Sequence, residues 1–143
     1  MRTMTPDEVE AFLHHGTRTA KLATVRADGR PHVTPVWFVI DPETGDILFN
    51  TAESAVKGKN LLRDPRVTLL VDEEVPPYAY VQIEGIASLS TNLDEMLPWS
   101  TAIGSRYMGA ENAKRFGQRN AVPGELLVRV HRVNTIAQAE IAS

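Results

Sequence analysis

The clearest chemical signal in this sequence sits around one helix start, where Lys57 and Lys59 follow Thr51 and Ser54. The stretch Phe49–Leu70, FNTAESAVKGKNLLRDPRVTLL, reads as a strand ending at Thr51, then a helical segment of about eight residues, then a second strand beyond Asp64-Pro65. Glu53 and Ser54 offer N-cap chemistry, and the proline stops the helix because it disfavours helical backbone in the residue before it. A strand that runs into a helix start puts unpaired N–H groups and the positive end of the helix dipole in one place, which suits an anion. Lys57 and Lys59 add charge there, and Thr51 and Ser54 can donate hydroxyls to phosphate oxygens. Lysines on a short surface helix are also ordinary solvated residues. Positions two apart point in different directions, so these two act together only on a ligand lying over the helix end.

Other chemistries are poorly supplied. The chain has no cysteine, which excludes disulfides, thiolate catalysis and cysteine metal sites. The histidines at 14, 15, 32 and 131 lack the HExxH spacing of a zinc enzyme, and His32, on a strand beside a turn, reads as exposed. There is no GxSxG elbow, the glycines form no phosphate loop, and Glu73-Glu74 lie among other acids. No catalytic residue is assigned, although the Tyr80 phenol can serve as a proton donor. Any enzyme built on this chain takes its chemistry from a bound cofactor and supplies position and electrostatics. A net charge of −3 argues against a nucleic-acid face and leaves room for a local basic pocket. No apolar run is long enough to span a bilayer and no signal-peptide pattern opens the chain, so the reading is a cytoplasmic protein.

The elements that must position this site are short. With 143 residues, 43% of them hydrophobic, residues 1–143 are read as one domain. Thr5, Pro6 and Glu8 form a capping-box start for a helix with Val9, Phe12 and Leu13 on its apolar face and Gly16 at its end. Strands are expected over Thr19–Val25, His32–Ile40 and Asp46–Thr51, joined as a meander by the turns at Asp28-Gly29 and Asp41–Gly45. Val67–Val71, an acidic loop at Asp72–Pro77 and a long strand Tyr78–Leu89 follow. Asn92–Phe116 is helical, with a break expected around Gly104–Gly109 and a packing stripe through Met96, Leu97, Trp99, Ile103, Tyr107 and Met108. Glu125–Ala137 is the last strand. This pattern, mainly β with flanking helices, predicts a small six-stranded antiparallel barrel, since closing the sheet removes exposed edges.

The segment KLATVRADGRPHVTPVWFVIDPETGDILFNTAESAVKGKNLLRDPRVTLLVDE, followed by YAYVQIEGIASL, resembles the split β-barrel family of flavin and deazaflavin oxidoreductases, the relatives of pyridoxamine 5′-phosphate oxidase. The ADGRP turn, the NTAxSxxKxKNL helix start and the DPR strand start, in that order, carry the likeness over roughly residues 5 to 90; Arg106-Tyr107 and the final strand agree more loosely. Within that family the chain is most similar to the actinobacterial-type branch that uses the deazaflavin coenzyme F(420), with FMN as the alternative cofactor. The resemblance implies a homodimer with cofactors at the subunit interface. It implies that Lys57 and Lys59 hold the cofactor phosphate with Thr51 and Asn60 close by, and that Thr34, Pro35, Val36 and Trp37 form the strand along the ring system. Tyr78 and Tyr80 resemble aromatics that the partner subunit adds to the pocket wall, although these two and Trp37 serve equally well as core. Arg26, Arg30 and Arg63 extend the lysines into a cationic track suited to a phosphodiester and an acidic tail. The implied activity is hydride transfer from reduced F(420) to a planar conjugated small molecule. A protein that binds the deazaflavin or a tetrapyrrole without turnover is the competing reading. Vitamin B6 oxidation is not implied, because the end RVNTIAQAEIAS lacks the substrate-phosphate segment of that oxidase.

Overall fold

The capping box at the start of the chain forms as its residues require. Thr5 Oγ1 accepts from the Glu8 N–H at 3.2 Å and the Glu8 carboxylate accepts from the Thr5 N–H at 3.4 Å. The computed structural model describes residues 1–143 and orders them as β1 (Arg2–Thr3), α1 (Pro6–His14), β2 (Ala20–Val25), β3 (Pro31–Val36), β4 (Val39–Ile40), β5 (Ile47–Ala52), α2 (Val56–Arg63), β6 (Arg66–Glu73), β7 (Ala79–Ser90), α3 (Leu93–Met108), α4 (Ala113–Asn120) and β8 (Glu125–Ala139). No helix is long and apolar enough to cross a membrane.

All strand pairs are antiparallel, in the order β3-β2-β6-β7-β8-β5-β4, with β1 added to β8. The two ends of that order, β3 and β4, are joined by Trp37 and Phe38 alone. Val36 and Val39 are therefore no more than roughly 11 Å apart, three Cα–Cα steps, and the sheet has to curl until its ends nearly meet. That is the split barrel the sequence predicts, with its seam at Trp37-Phe38 and with eight strands in place of six, because β1 is added at β8 and the seam divides β3 from β4.

Three expectations are corrected here. The strand expected over His32–Ile40 breaks at the seam, because the Phe38 N–H and C=O bond to Tyr107 and Arg106 of α3 and not to a neighbouring strand. β5 pairs with β8 and β4 but not with β3, so the first strands form a hairpin and a crossing rather than a meander. The acidic loop is shorter than expected. Asp72 and Glu73 continue β6, where Lys21 (2.9 Å) and Arg18 (3.1 Å) neutralise them.

The barrel interior is one cluster that includes Leu22, Phe38, Phe49, Leu69, Ile83 and Val128. A smaller cluster of Leu48, Met96 and Leu127 holds α3 against the outside of β5 and β8. In the expected stripe on α3, Met96 and Ile103 are buried, whereas Leu97 and Met108 are exposed. The helix breaks at Gly109, whose φ of 90° favours glycine, and not at Gly104. Gly104 stays helical because α4 packs directly on it, and a Cβ there would lie 2.6 Å from Phe116 Cβ.

Candidate functional site

The start of α2 is seated on the end of β5. A Cβ at Gly58 would come 2.2 Å from the Ala52 carbonyl oxygen, so glycine alone permits this approach. The chain first closes a turn, with the Ala55 N–H donating to the Ala52 carbonyl at 3.1 Å, and the helix begins only afterwards. The N-cap is consequently Ala55 and not Glu53 or Ser54, and no side chain caps the helix. Its first N–H groups are left for an external acceptor.

Two concavities flank this uncapped turn. One, of about 260 Å³, is lined by Pro35, Val36, Trp37, Asn50, Lys57, Ile103 and Asn120. The other, of about 300 Å³, is lined by Arg26, Ala27, Asp28, Arg30, Val56, Lys59, Asn60 and Arg63. The two lysines thus face different cavities on either side of one helix end. The charges around them are unusual for a chain of net −3. Arg30 pairs with Asp28 at 2.8 Å, but Arg26, Lys57, Lys59 and Arg63 form no ion pair. Arg63 is held by the Val25 carbonyl and by Asn60 Oδ1 at 3.2 Å.

The field of these cations reaches neighbouring groups. His32 is half-buried, against the expectation of exposure, because β3 pairs it with Thr24 on β2. Burial, then Arg26 and Lys57, hold its pKa below the ordinary value, and its Nδ1 is buried without a partner. Glu125, at the start of β8, has its carboxyl pushed up by burial, and Lys57 opposes that shift. Glu125 Oε2 and Asn50 Nδ2 are likewise buried and unpartnered. Orphaned polar atoms beside free cations and an aromatic wall fit a planar, anionic cofactor, whose polar edge and charge would complete them.

The comparisons agree with this architecture. Residues 5–137 match the family described as pyridoxamine 5′-phosphate oxidase. This chain belongs to that family.

Relatives within reach differ in what is known of them. An F(420)H(2)-dependent biliverdin reductase of Mycobacterium tuberculosis is 30% identical over 105 residues, covering 73% of this chain and 74% of the relative. Conserved hypothetical protein Rv2991 of the same organism is 27% identical and superposes with a TM-score of 0.83 over 96% of this chain and 86% of its own. An F(420) reductase, 22% identical, shares the fold with a TM-score of 0.68 over 88% of this chain and 94% of its own.

Within this pyridoxamine 5′-phosphate oxidase relative the predicted site residues are dispersed in an instructive way. Pro35, Val36, Trp37 and Lys57 meet in the first cavity, and Lys59 and Asn60 in the second. Thr34 lies beside the first on β3, its hydroxyl donating to the Pro35 carbonyl at 3.3 Å. Thr51 points into the interior, 4% exposed, and its hydroxyl has no partner and lines neither cavity. Asn60 is also buried and acts inside the protein, donating to Thr24 Oγ1 at 3.0 Å. Tyr78 and Tyr80 line a separate concavity with Leu70, Asp72 and Gln82, and Lys57 is not part of its lining. Residues that the sequence did not assign to the site are Asn50, Ile103 and Asn120 in the cavity wall and His32 beside it. The only signal for Asn50 was its place in the NTAxSxxKxKNL motif.

Trp37 is held rather than free. Its indole stacks on Tyr107 with centroids 5.2 Å apart and planes 2° from parallel, and Phe116 leans against it at 6.1 Å. The Tyr107 hydroxyl accepts from the Phe38 N–H (3.3 Å) and donates to the Arg18 carbonyl (2.9 Å). Arg106 donates to the carbonyls of Gly16, Phe38 and Leu13. The Arg106-Tyr107 pair therefore fixes the seam, and with it the aromatic wall of the cavity.

Proposed function

We propose that this chain is a homodimeric oxidoreductase that passes a hydride from reduced coenzyme F(420) to a planar conjugated organic acceptor, with a linear tetrapyrrole as the first acceptor to test. The observation that carries this reading is the group of unpaired cations around an uncapped helix start, next to a cavity walled by Trp37. Lys57 and the N–H groups of α2 would hold the cofactor phosphate. Arg26, Lys59 and Arg63 would receive an acidic tail, for which FMN has no counterpart. Trp37, Val36 and Pro35 would wall the ring and exclude water. Bound there, the reduced deazaflavin supplies the hydride, and solvent supplies the balancing proton. The fold family supports oxidoreductase chemistry, and the biliverdin-reducing relative supports this choice of cofactor and acceptor. A partner subunit would bring its own Tyr78 and Tyr80 to the wall, a reading supported by their place in a concavity that Lys57 does not line and by the exposed Val33, Ile86 and Val133.

The test is a titration of cofactor-stripped protein with F(420) and with FMN, followed by tryptophan fluorescence and repeated with Trp37→Phe to isolate the seam indole. Preferential quenching by F(420), then oxidation of reduced F(420) dependent on biliverdin, is the expected result. Preference for FMN moves the protein to flavin chemistry, tight F(420) binding with no acceptor-dependent oxidation makes it a carrier, and binding of neither removes the reading. A solution mass at twice the chain mass is expected from light scattering.

A further inference from the structure

Asn50 has a side-chain amide that is satisfied at one end only. It stands on β5 between the buried Phe49 and Thr51, so its side chain takes the opposite face from theirs, toward the cavity shared with Lys57 and Trp37. Its amide is clamped at one end: Ser100 Oγ, on the fully buried Ser100 of α3, donates to Asn50 Oδ1 at 2.8 Å. The other end, Nδ2, is buried and has no partner in the protein. An amide nitrogen offers two donors and no acceptor, and leaving them unsatisfied out of water is costly. Asn120, the other amide lining the cavity, makes no hydrogen bond to it, and the remaining groups offer no side-chain acceptor. Pro35, Val36, Trp37 and Ile103 are largely apolar there, and the Lys57 ammonium is itself a donor.

We infer that Asn50, oriented by Ser100, donates a hydrogen bond from Nδ2 to a carbonyl-type oxygen on the planar molecule that fills this cavity, and so helps set which molecules are accepted. This rests on the functional reading above. Such an oxygen can belong to the cofactor ring or to the acceptor, and the chemistry recognised is the same. Rejection of a ligand without that oxygen follows from the unpaired donors it would leave behind.

The experiment compares wild type with Asn50→Leu, which keeps the branching at Cγ and removes the donors, and with Asn50→Thr, a strand-compatible variant that retains a hydroxyl too short to reach. Each is measured for F(420) and FMN dissociation constants by fluorescence, for biliverdin KM and kcat with reduced F(420), and for melting temperature without ligand. A rise of about tenfold in the cofactor dissociation constant places the oxygen on the cofactor. A rise of similar size in biliverdin KM, with cofactor binding unchanged, places it on the acceptor. Ser100→Ala, which frees the amide to rotate, is expected to reproduce a smaller part of the same effect. Folded variants that match wild type in both binding and KM overturn the inference and leave Asn50 as a strap for α3. Failure of wild type to bind either cofactor is a different result, which overturns the functional reading and this inference with it.

Discussion

The turn at Asp41–Asp46 and the start of α2 both gather charge, and they treat it in opposite ways. At the turn, Arg129 from β8 donates to Asp41 at 2.9 Å, to Asp46 at 3.1 Å and to Thr44 Oγ1 at 3.4 Å, and its guanidinium lies over the Trp99 ring. Asp41 also accepts from the Glu43 N–H, and with Arg129 as the largest cause its carboxyl is held below the usual carboxylate range. His131 reaches Asp46 at 3.3 Å. These charges fasten a loop to a strand. Around α2, Arg26, Lys57, Lys59 and Arg63 stand without carboxylate partners beside an uncapped helix end and the orphaned atoms of His32, Asn50 and Glu125. Like charges gathered there without an ion pair repel one another in the empty protein, and only Glu125 opposes Lys57. An anion that binds there gains their attraction and stabilises the fold by mass action. The same residue types therefore serve stability where the chain completes them and ligand binding where it does not.

The contrast is sharpest at Lys57. Lys57→Ala is expected to weaken F(420) binding by about 1 to 3 kcal/mol, each 1.4 kcal/mol being tenfold, while the melting temperature of the ligand-free protein does not fall. Fluorescence titration and thermal melts check the pair of outcomes, and a large loss of stability with unchanged binding would reverse the comparison. Arg129→Ala should do the converse. It lowers the melting temperature by several degrees, because Asp41 and Asp46 lose their common counter-charge, and it leaves the F(420) dissociation constant where it was.

Glu125 supplies the smallest and most pH-sensitive test. Its folded pKa lies above the ordinary glutamate value, so the folded chain holds this proton more firmly than the unfolded one. Stability from this group is therefore full at low pH and declines as pH rises from the ordinary value through the folded one. Glu125→Gln should remove that part of the slope in a series of melts across this range. It should also tighten F(420) binding at pH 7 by roughly threefold, or ~0.6 kcal/mol, since an acid within reach of Lys57 no longer opposes the incoming anion.

Much of the fold could be read locally. The capping box of α1, the arrest of α2 at Asp64-Pro65 and the hairpin at Asp28-Gly29 each depend on a few adjacent residues whose backbone preferences agree. Lys57 and Lys59 were legible for the same reason, since a strand, a tight turn and a helix of this length leave little freedom in where the helix end lies. Their division between two cavities was not, because it depends on what β3 and the Arg26–Arg30 hairpin place on either side.

The sequence by itself determined the short elements and the cationic character of one helix start, because these follow from propensities and charges that neighbouring residues share, while the family was carried by a likeness of motifs. Tertiary structure alone decided that Phe38 leaves the sheet for Arg106 and Tyr107, that Thr51 and Asn60 turn inward, and that Asn50 keeps one free end in a cavity. For Phe38, Asn60 and Asn50 the outcome depends on partners 36 to 69 residues away in the chain. No local preference encodes which of them will arrive.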